Sequence, residues 1–178
     1  MHLSRSLAHD ARQPGGGVGR RISFLNRGIS GNTIGDLAKR WTSDTLELRP
    51  DLLSILIGIN DSARGEALDL YEKGYDQLLT TLREANPKIR LVLCTPFILP
   101  VGKQKEAFEK RLADVLLREE IVTRLASKHG AALVRFQPVF EAACARAAAE
   151  CWMWDGIHPT YSGHQLMADA WEESVRAF

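Results

Sequence analysis

Asp51-Leu52-Leu53-Ser54-Ile55-Leu56-Ile57-Gly58-Ile59-Asn60-Asp61 is the stretch that decides the fold class of this chain. Its residues 52–57 form a nearly continuous apolar run, which is entered from Pro50 and left through Gly58. A short run of this kind between turn residues is typical of a strand that is buried on both faces, as in parallel sheets. Similar runs occupy residues 22–25, 89–94 and 132–136, and we predict a strand over each of them.

Helical patterns separate these runs. Thr33 and Asp36 have the spacing of a capping box, with Asp in place of Glu, and they predict a helix that starts at Ile34. Further helices are predicted over about 68–84, 105–128 and 161–176. Gly130 follows the second of these three helices in a C-cap position. The strict alternation of strands and helices predicts an α/β fold, with a parallel sheet between helices on both faces.

Composition sets limits on the class of protein. With 178 residues, 45% of them hydrophobic, the chain can build a sizeable core, and we predict one domain over residues 1–178. The formal charge of +1 gives no basic footprint for nucleic acid, so the expected partner is a small neutral or weakly charged molecule. No window has the apolar length of a membrane span, so we predict no membrane contact and a cytoplasmic location.

The cysteines do not form a pattern. Cys94, Cys144 and Cys151 are odd in number and lack metal-ligand spacing, which favours a reducing compartment over a disulfide framework. Cys94 lies inside an apolar run, and we predict that it is a buried small hydrophobic residue. The cysteines therefore give no indication of a metal site.

Asp155-Gly156-Ile157-His158-Pro159 carries the clearest chemistry. An Asp three residues before a His can accept a hydrogen bond from the imidazole Nδ1–H, which leaves Nε2 free to act as a base. Pro159 holds His158 in an extended conformation, from which its ring can project into a cleft. Two other interpretations stay open at this point, a surface pair and a contact at a helix N-terminus. A metal site lacks a second ligand, because His164 is six residues further on.

Two tryptophans flank this motif. Trp152 and Trp154 can form an aromatic wall of a substrate site, and packing in the core is the alternative for at least one of them.

Two upstream segments can supply hydrogen-bond donors. In residues 26–33, glycines let the backbone approach an oxyanion, and the Gly31 N–H is a candidate donor; a simple tight turn is the alternative. In residues 58–61, the Asn60 amide would project from the end of the most apolar strand; capping of a turn or helix is the alternative for Asn60 and Asp61. Because all three motifs follow strands or occupy a late loop, we expect them to meet at the carboxyl edge of the sheet.

Taken in order, the segments N-x-G-x-S-G-N-T, G-I-N-D and D-G-I-H-P-T resemble the second, third and fifth signature blocks of the SGNH hydrolases, the GDSL-type esterases and lipases. The resemblance implies a flavodoxin-like parallel sheet and ester hydrolysis by a Ser-His-Asp triad without a cofactor. It implies that Asp155 and His158 are the triad Asp and His, and that Gly31 and Asn60 form the oxyanion hole. The implied partner is a small-molecule ester, and a short acyl group, such as acetyl on a carbohydrate, is our prediction for it.

The first signature block of that family, G-D-S with the nucleophilic Ser, has no counterpart in residues 1–20. The pattern of residues 3–11 instead resembles the helix that follows this block in the family. We therefore expect a domain that is incomplete at its N-terminus, a sheet without its first strand, and a Ser nucleophile upstream of Met1. The main alternative is an inactive protein that binds an ester or a carbohydrate; a metal-dependent hydrolase that uses Asp155 and His158 is a third interpretation.

Overall fold

A computed structural model describes residues 22–176. The chain divides into two compact units, Met1–Ser30 and Gly31–Phe178. Our expectation of one incomplete domain over residues 1–178 stays a prediction. The helix that the pattern of residues 3–11 resembles lies outside the described residues.

The strand predicted over residues 22–25 is wrong. These residues have neither strand nor helix conformation, and Ile22, Phe24 and Leu25 are 72%, 82% and 69% exposed. Within residues 22–30 no neighbouring strand is described, and a short apolar segment adopts β structure only where pairing and packing support it. The chain turns locally instead, with the Gly28 N–H donating to Asn26 Oδ1 at 2.9 Å.

The second unit is built around three parallel strands in the order β1-β2-β3. The strands are β1 Leu52–Leu56, β2 Arg90–Cys94 and β3 Ala132–Val134. The helices are α1 Ile34–Trp41, α2 Ile59–Ala63, α3 Leu68–Ala85, α4 Phe108–His129, α5 Phe136–Cys144 and α6 Tyr161–Arg176. A π-helical turn spans Thr42–Leu46, and 3₁₀ turns span Gly102–Lys105 and Ala149–Cys151. The predicted α/β class with a parallel sheet is confirmed.

Alternate residues of the inner strand β2 enter two different cores, whereas one face of β1 is largely exposed. The expectation that the 52–57 run is buried on both faces is therefore wrong for this strand. Ile55, Leu91 and Leu93 belong to a core with buried residues of α1, α3 and α4. Val92 and Val134 belong to a second core with residues of α5 and α6. Because side chains alternate across a strand, helices cover both faces of the sheet and the fold has three layers, as predicted.

Most predicted element ends agree with the structure. Thr33 and Asp36 form the capping box, with Thr33 Oγ1 accepting from the Asp36 N–H and Asp36 Oδ2 accepting from the Thr33 N–H. Gly130 ends α4 in the left-handed conformation, with φ +57°. Cys94 is 3% exposed, and burial raises the pKa of its thiol to about 11.

Two ends differ from the prediction. Strand β3 ends at Val134 instead of residue 136, because Phe136 already begins α5. This helix was not predicted, since its first residue continues the apolar run of the strand. The fourth helix begins at Phe108 instead of residue 105, because a 3₁₀ turn occupies the preceding residues.

The edge of the sheet at β1 agrees with the predicted lack of a first strand. Strand β1 pairs with β2 along one side, and within residues 22–176 no strand pairs with its other side. Helix α6 packs near this edge, since Trp171 Nε1 donates to Ser54 Oγ at 2.9 Å. Among the residues that the structure describes, no helix combines the length and the apolar character that crossing a membrane requires.

Candidate active site

Asp155 and His158 form a direct hydrogen bond in the loop before α6. Asp155 Oδ2 lies 2.7 Å from His158 Nδ1, and the two side chains are 50% and 62% exposed. With the Asp carboxylate on Nδ1, the proton of a neutral imidazole belongs on that nitrogen. Nε2 is then the ring nitrogen that can accept a proton from a reacting group.

The same carboxylate also organises the loop backbone. Asp155 Oδ1 accepts from the N–H groups of Ile157 at 3.1 Å and His158 at 2.9 Å. Partial burial opposes ionisation of Asp155, but the hydrogen bonds from the His158 side chain and from the two N–H groups outweigh it and lower the pKa of the carboxyl. Asp155 is therefore ionised at neutral pH, where its negative charge can orient the imidazole ring of His158.

Backbone contacts close the loop into a narrow turn. The Trp154 N–H donates to the His158 carbonyl at 2.9 Å, and Met153 and Pro159 form an antiparallel bridge. The Thr160 N–H donates to the Trp152 carbonyl at 2.9 Å, just before α6 begins. The pair is thus carried by a hydrogen-bonded turn at the start of a helix.

Gly156 anchors this turn to the segment after β2. Its carbonyl accepts from the Leu99 N–H at 2.9 Å, and its φ is +92°. A Cβ at this position would lie 2.4 Å from the Leu99 carbonyl oxygen and 2.5 Å from Gln104 Cγ. No turn or helix pattern in the sequence marks this glycine, although its place between Asp155 and His158 is a usable signal.

Gly31 and Asn60 come from two segments that the structure joins. Asn60 lies on α2, and its Nδ2 donates to the Asn32 carbonyl at 3.0 Å, next to Gly31. An amide NH₂ has two hydrogens, so one donor of Asn60 remains for a ligand. Gly31 has φ +81°, and its carbonyl accepts from Arg64 Nη2 at 2.7 Å.

The turn that carries the Asp–His pair and the segment that carries Asn60 both lie close to the residues that follow β2. Gly58, at the start of α2, has φ +126°, and a Cβ there would lie 3.3 Å from Pro96 Cγ and 2.8 Å from the Tyr71 hydroxyl. Gly156 contacts Leu99 in the same segment. The loop of the Asp–His pair and the segment of Asn60 therefore both lie at the carboxyl edge of the sheet, where α/β folds bind ligands.

The two tryptophans have different environments. Trp152 is half-buried against the core formed with α5 and α6, and its Nε1 donates to the Ala147 carbonyl at 3.3 Å. Trp154 is 61% exposed and makes an edge-to-face contact with Tyr161, with ring centroids 5.9 Å apart. Packing therefore explains Trp152, whereas Trp154 presents its ring to solvent beside Asp155.

His164 lies in the first turn of α6. Within residues 22–176, no group of three or more His, Cys, Asp or Glu residues is arranged to hold a metal ion.

A family model matches most of the chain. The model for the GDSL-like lipase/acylhydrolase family matches residues 5–166. The chain belongs to this family. The match includes the segments of Gly31 and Asn60 and the turn that carries Asp155 and His158.

Curated and solved relatives extend the comparison. An acetylxylan esterase from Geobacillus stearothermophilus is 32% identical over 162 residues, which are 86% of this chain and 72% of that protein. The crystal structure of an acetylxylan esterase, Axe2, from the same organism aligns with a TM-score of 0.74 at 29% identity, over 85% of this chain and 71% of the other. A candidate GDSL-like lipase from Parabacteroides merdae aligns with a TM-score of 0.76 at 37% identity, over 84% and 71% of the two chains. The chain is thus similar to an esterase both in sequence and in fold.

Solved variants of the acetylxylan esterase bear on individual residues. Catalytic mutants of that enzyme replace a Ser, an Asp or a His by Ala, and its mutated Asp precedes its mutated His by three residues. Another variant replaces the Trp that directly precedes this Asp. The same order, Trp-Asp-x-x-His, occurs here at residues 154–158.

Proposed function

We propose that this member of the GDSL-like family hydrolyses short-chain esters, with acetyl groups on a carbohydrate as the substrate class, through a Ser-His-Asp mechanism. The observation that supports the proposal most directly is the 2.7 Å contact between Asp155 Oδ2 and His158 Nδ1 in an open loop. The similarity to an acetylxylan esterase favours acetylated carbohydrates among the possible esters.

In the first step, His158 Nε2 takes the hydroxyl proton of the nucleophile while its oxygen attacks the ester carbonyl carbon. Asp155 keeps the imidazole in the required tautomer and stabilises the imidazolium that forms. When the tetrahedral intermediate collapses, the C–O bond to the alcohol breaks and His158 returns the proton to the leaving oxygen. In the second step, water attacks the acyl carbon with His158 again as the base. The bond from this carbon to the serine oxygen then breaks, His158 returns the proton to that oxygen, and the carboxylic acid is released.

The oxyanion of the tetrahedral intermediate is bound by Asn60 Nδ2 and the Gly31 N–H in this proposal. The contact of Asn60 with the Asn32 carbonyl supports it, because the contact brings the amide next to Gly31 before any substrate arrives. A single donor of this type contributes about 10²–10³ in turnover. No metal or organic cofactor takes part in these steps.

The nucleophilic serine is not assigned to a residue of this sequence. No Gly-Asp-Ser occurs in residues 1–178, and Ser4 and Ser6 lie outside the described residues. The absence of this block is the observation that favours the second candidate function, binding of an ester or a carbohydrate without cleavage.

The decisive experiment compares hydrolysis of p-nitrophenyl acetate and p-nitrophenyl palmitate by two proteins. One is the 178-residue chain, and the other is the same chain extended upstream through any in-frame residues that include a G-D-S block. His158→Ala is made in both. We expect hydrolysis of the acetate ester, with little of the palmitate ester, in the G-D-S form with His158 intact.

Other outcomes have defined meanings. Hydrolysis by the 178-residue chain that depends on His158 would place a nucleophile within residues 1–178. The binding function predicts that neither form hydrolyses the ester, and that acetylated xylo-oligosaccharide gives a saturable calorimetric signal. Inhibition by a chelator would instead support a metal-dependent hydrolase.

A further inference from the structure

Asp61 is a buried acidic residue that the proposed reaction does not use. It directly follows Asn60 on α2 and is 0% exposed. Its Oδ1 accepts from the Ile34 N–H at 2.9 Å, across 27 positions of the sequence. Ile34 is the first residue of α1 and lies three positions after Gly31.

Asn60 and Asp61 hold the same short segment through opposite kinds of contact. Asn60 Nδ2 donates to the Asn32 carbonyl, and Asp61 Oδ1 accepts from the Ile34 N–H. Two neighbouring residues of α2 therefore form hydrogen bonds with the backbone on either side of Thr33. Arg64, one turn further along, adds a third contact through the Gly31 carbonyl.

The hydrogen bond from the Ile34 N–H to Asp61 both caps the start of α1 and links α1 to α2. The first N–H groups of a helix lack intrahelical partners, and a carboxylate there is favoured by the helix dipole. Thr33 already caps α1 through the Asp36 N–H, so the free end at Ile34 is served by a residue from another helix. Asp61 thus fixes the position of α1 relative to α2.

Burying the Asp61 carboxylate at the start of α1 costs free energy, because a charged group loses its contact with water. Asp61 Oδ2 is buried without a hydrogen-bond partner among the described residues. Burial raises the pKa of the Asp61 carboxyl, and the N–H groups of Ile34 and Asp61 and the nearby Arg118 charge only partly offset this effect. A buried carboxylate oxygen without a hydrogen-bond partner costs free energy, so its presence here calls for an explanation.

We propose that Asp61 is a positioning residue of the oxyanion hole, which sets the separation between the Gly31 N–H and Asn60 Nδ2. The inference rests on the proposed function of Gly31 and Asn60. Donors that are held in place before the reaction stabilise developing charge without reorganisation, so the rigidity of their support affects turnover. Asp61 itself touches neither the substrate nor the reacting atoms.

The test compares three substitutions of Asp61 in the form of the protein that hydrolyses p-nitrophenyl acetate. Asp61→Ala and Asp61→Leu both remove the acceptor, and Leu keeps nearly the same shape, so that one variant folds even if a cavity is not tolerated. Each is expected to lower kcat about 10- to 100-fold with KM changed less than about 3-fold. Asp61→Asn retains a carbonyl oxygen for the Ile34 N–H and is expected to keep kcat within about 3-fold of the original.

Asp76→Ala is the matched control. Asp76 also joins two segments, since its carboxylate contacts Lys128 Nζ and His129 Nε2 at 2.7 Å each, but both partners lie at the C-terminal end of α4. This variant is expected to lower thermal stability without changing kcat. A kcat loss in Asp61→Leu no larger than that in Asp76→Ala, at equal loss of stability, would overturn the inference.

Amide hydrogen exchange separates the inference from the proposed function. In the 178-residue chain, Asp61→Leu is expected to speed exchange at the start of α1 about 10-fold or more, whereas Asp61→Asn and Asp76→Ala leave it unchanged. If no form of the protein hydrolyses esters, the proposed function fails while exchange still measures whether Asp61 holds this segment. Unchanged exchange in Asp61→Leu would overturn the role of Asp61 whatever the activity.

Discussion

The loop of the Asp–His pair and the segments of Gly31 and Asn60 are built in opposite ways. Asp155 and His158 are three residues apart, and their contact is half-exposed and entirely local. Asn60 reaches Asn32 across 28 positions, and its neighbour Asp61 holds Ile34 from a fully buried position. One half of the candidate site is held by contacts within a turn, and the other half is held by hydrogen bonds from α2 to the backbone at the start of α1.

This difference has an energetic reason. A base must reach the reacting group and exchange a proton with it, so an exposed turn in which the Asp155 pKa is lowered suits it. An oxyanion hole acts by staying in place, which requires donors that are supported from the protein interior. We therefore expect substitutions in the loop to affect chemistry, and substitutions around α2 to affect chemistry and local order together.

The largest effect is expected for His158→Ala. Removing the base should lower kcat for p-nitrophenyl acetate by about 10⁶-fold in the hydrolysing form, as loss of a triad His does in serine hydrolases. Thermal stability should change little, because the His158 side chain is 62% exposed. Replacing His164, the nearby His on α6, by Ala serves as the control and should leave kcat unchanged. Equal activity of both variants would remove the base from the proposed mechanism.

Asp155→Asn is expected to lower kcat by about 10⁴-fold, since the amide favours the wrong imidazole tautomer while keeping the geometry. Measured kcat/KM between pH 5 and 9 should fall at every pH. A loss below about 10-fold would show that Asp155 only shapes the turn through the Ile157 and His158 N–H groups, which an Asn oxygen also accepts.

Asn60→Ala tests the other half of the site and is expected to lower kcat about 10²- to 10³-fold with a small change in KM. Asn86→Ala is its matched control, because Asn86 Nδ2 also donates to a distant backbone carbonyl, that of Pro50, at 3.2 Å. Steady-state kinetics of the two variants should differ sharply even if both lower the thermal midpoint. Similar kinetics would assign to Asn60 a purely structural role.

Gly156→Ala is expected to destabilise the fold by about 2–4 kcal/mol, because a Cβ would meet the Leu99 carbonyl and Gln104 in addition to the cost of a positive φ. Gly65→Ala is the control, since Gly65 has φ +69° but no atom within 4 Å of the added Cβ, and should cost only about 1 kcal/mol. Urea unfolding of both variants measures the difference. An equal loss of unfolding free energy in the two variants would show that the backbone at Leu99 shifts to accommodate the added Cβ without strain.

The smallest effects concern pH, and they should have opposite signs in the two halves. Asp155 has a pKa below its ordinary 3.8, so its contribution to stability is present above 3.8 and lost as pH falls through the lowered value. Asp61 has a raised pKa, so its contribution is present below 3.8 and lost as pH rises through the raised value.

Urea unfolding between pH 3 and 7 tests these signs. Asp155→Asn should remove stability toward pH 7, and Asp61→Asn should add stability there. Changes of the same sign would contradict the contrast between the two carboxylates.

Local patterns carried most of the fold. The apolar run at residues 52–57, the capping box at Thr33 and the left-handed Gly130 follow from the physics of neighbouring residues, and the structure confirms each. The strand expected at residues 22–25 failed because a strand also needs a neighbour, which no local pattern supplies. Helix α5 was not predicted, because its first residue, Phe136, continues the apolar run of β3, and a short apolar run does not show where a strand ends and a helix begins.

By itself, the sequence determined the α/β class, the family, and the pair Asp155 and His158, because these depend on periodicity and on residues within one turn of each other. Only the tertiary structure decided that Asn60 meets the segment of Gly31, that Gly156 has no room for a side chain, and that Asp61 is buried against Ile34. The reason is physical: hydrogen bonds across 27 or 28 positions are formed by the packing of helices on a sheet, and spacing along the chain carries no record of them.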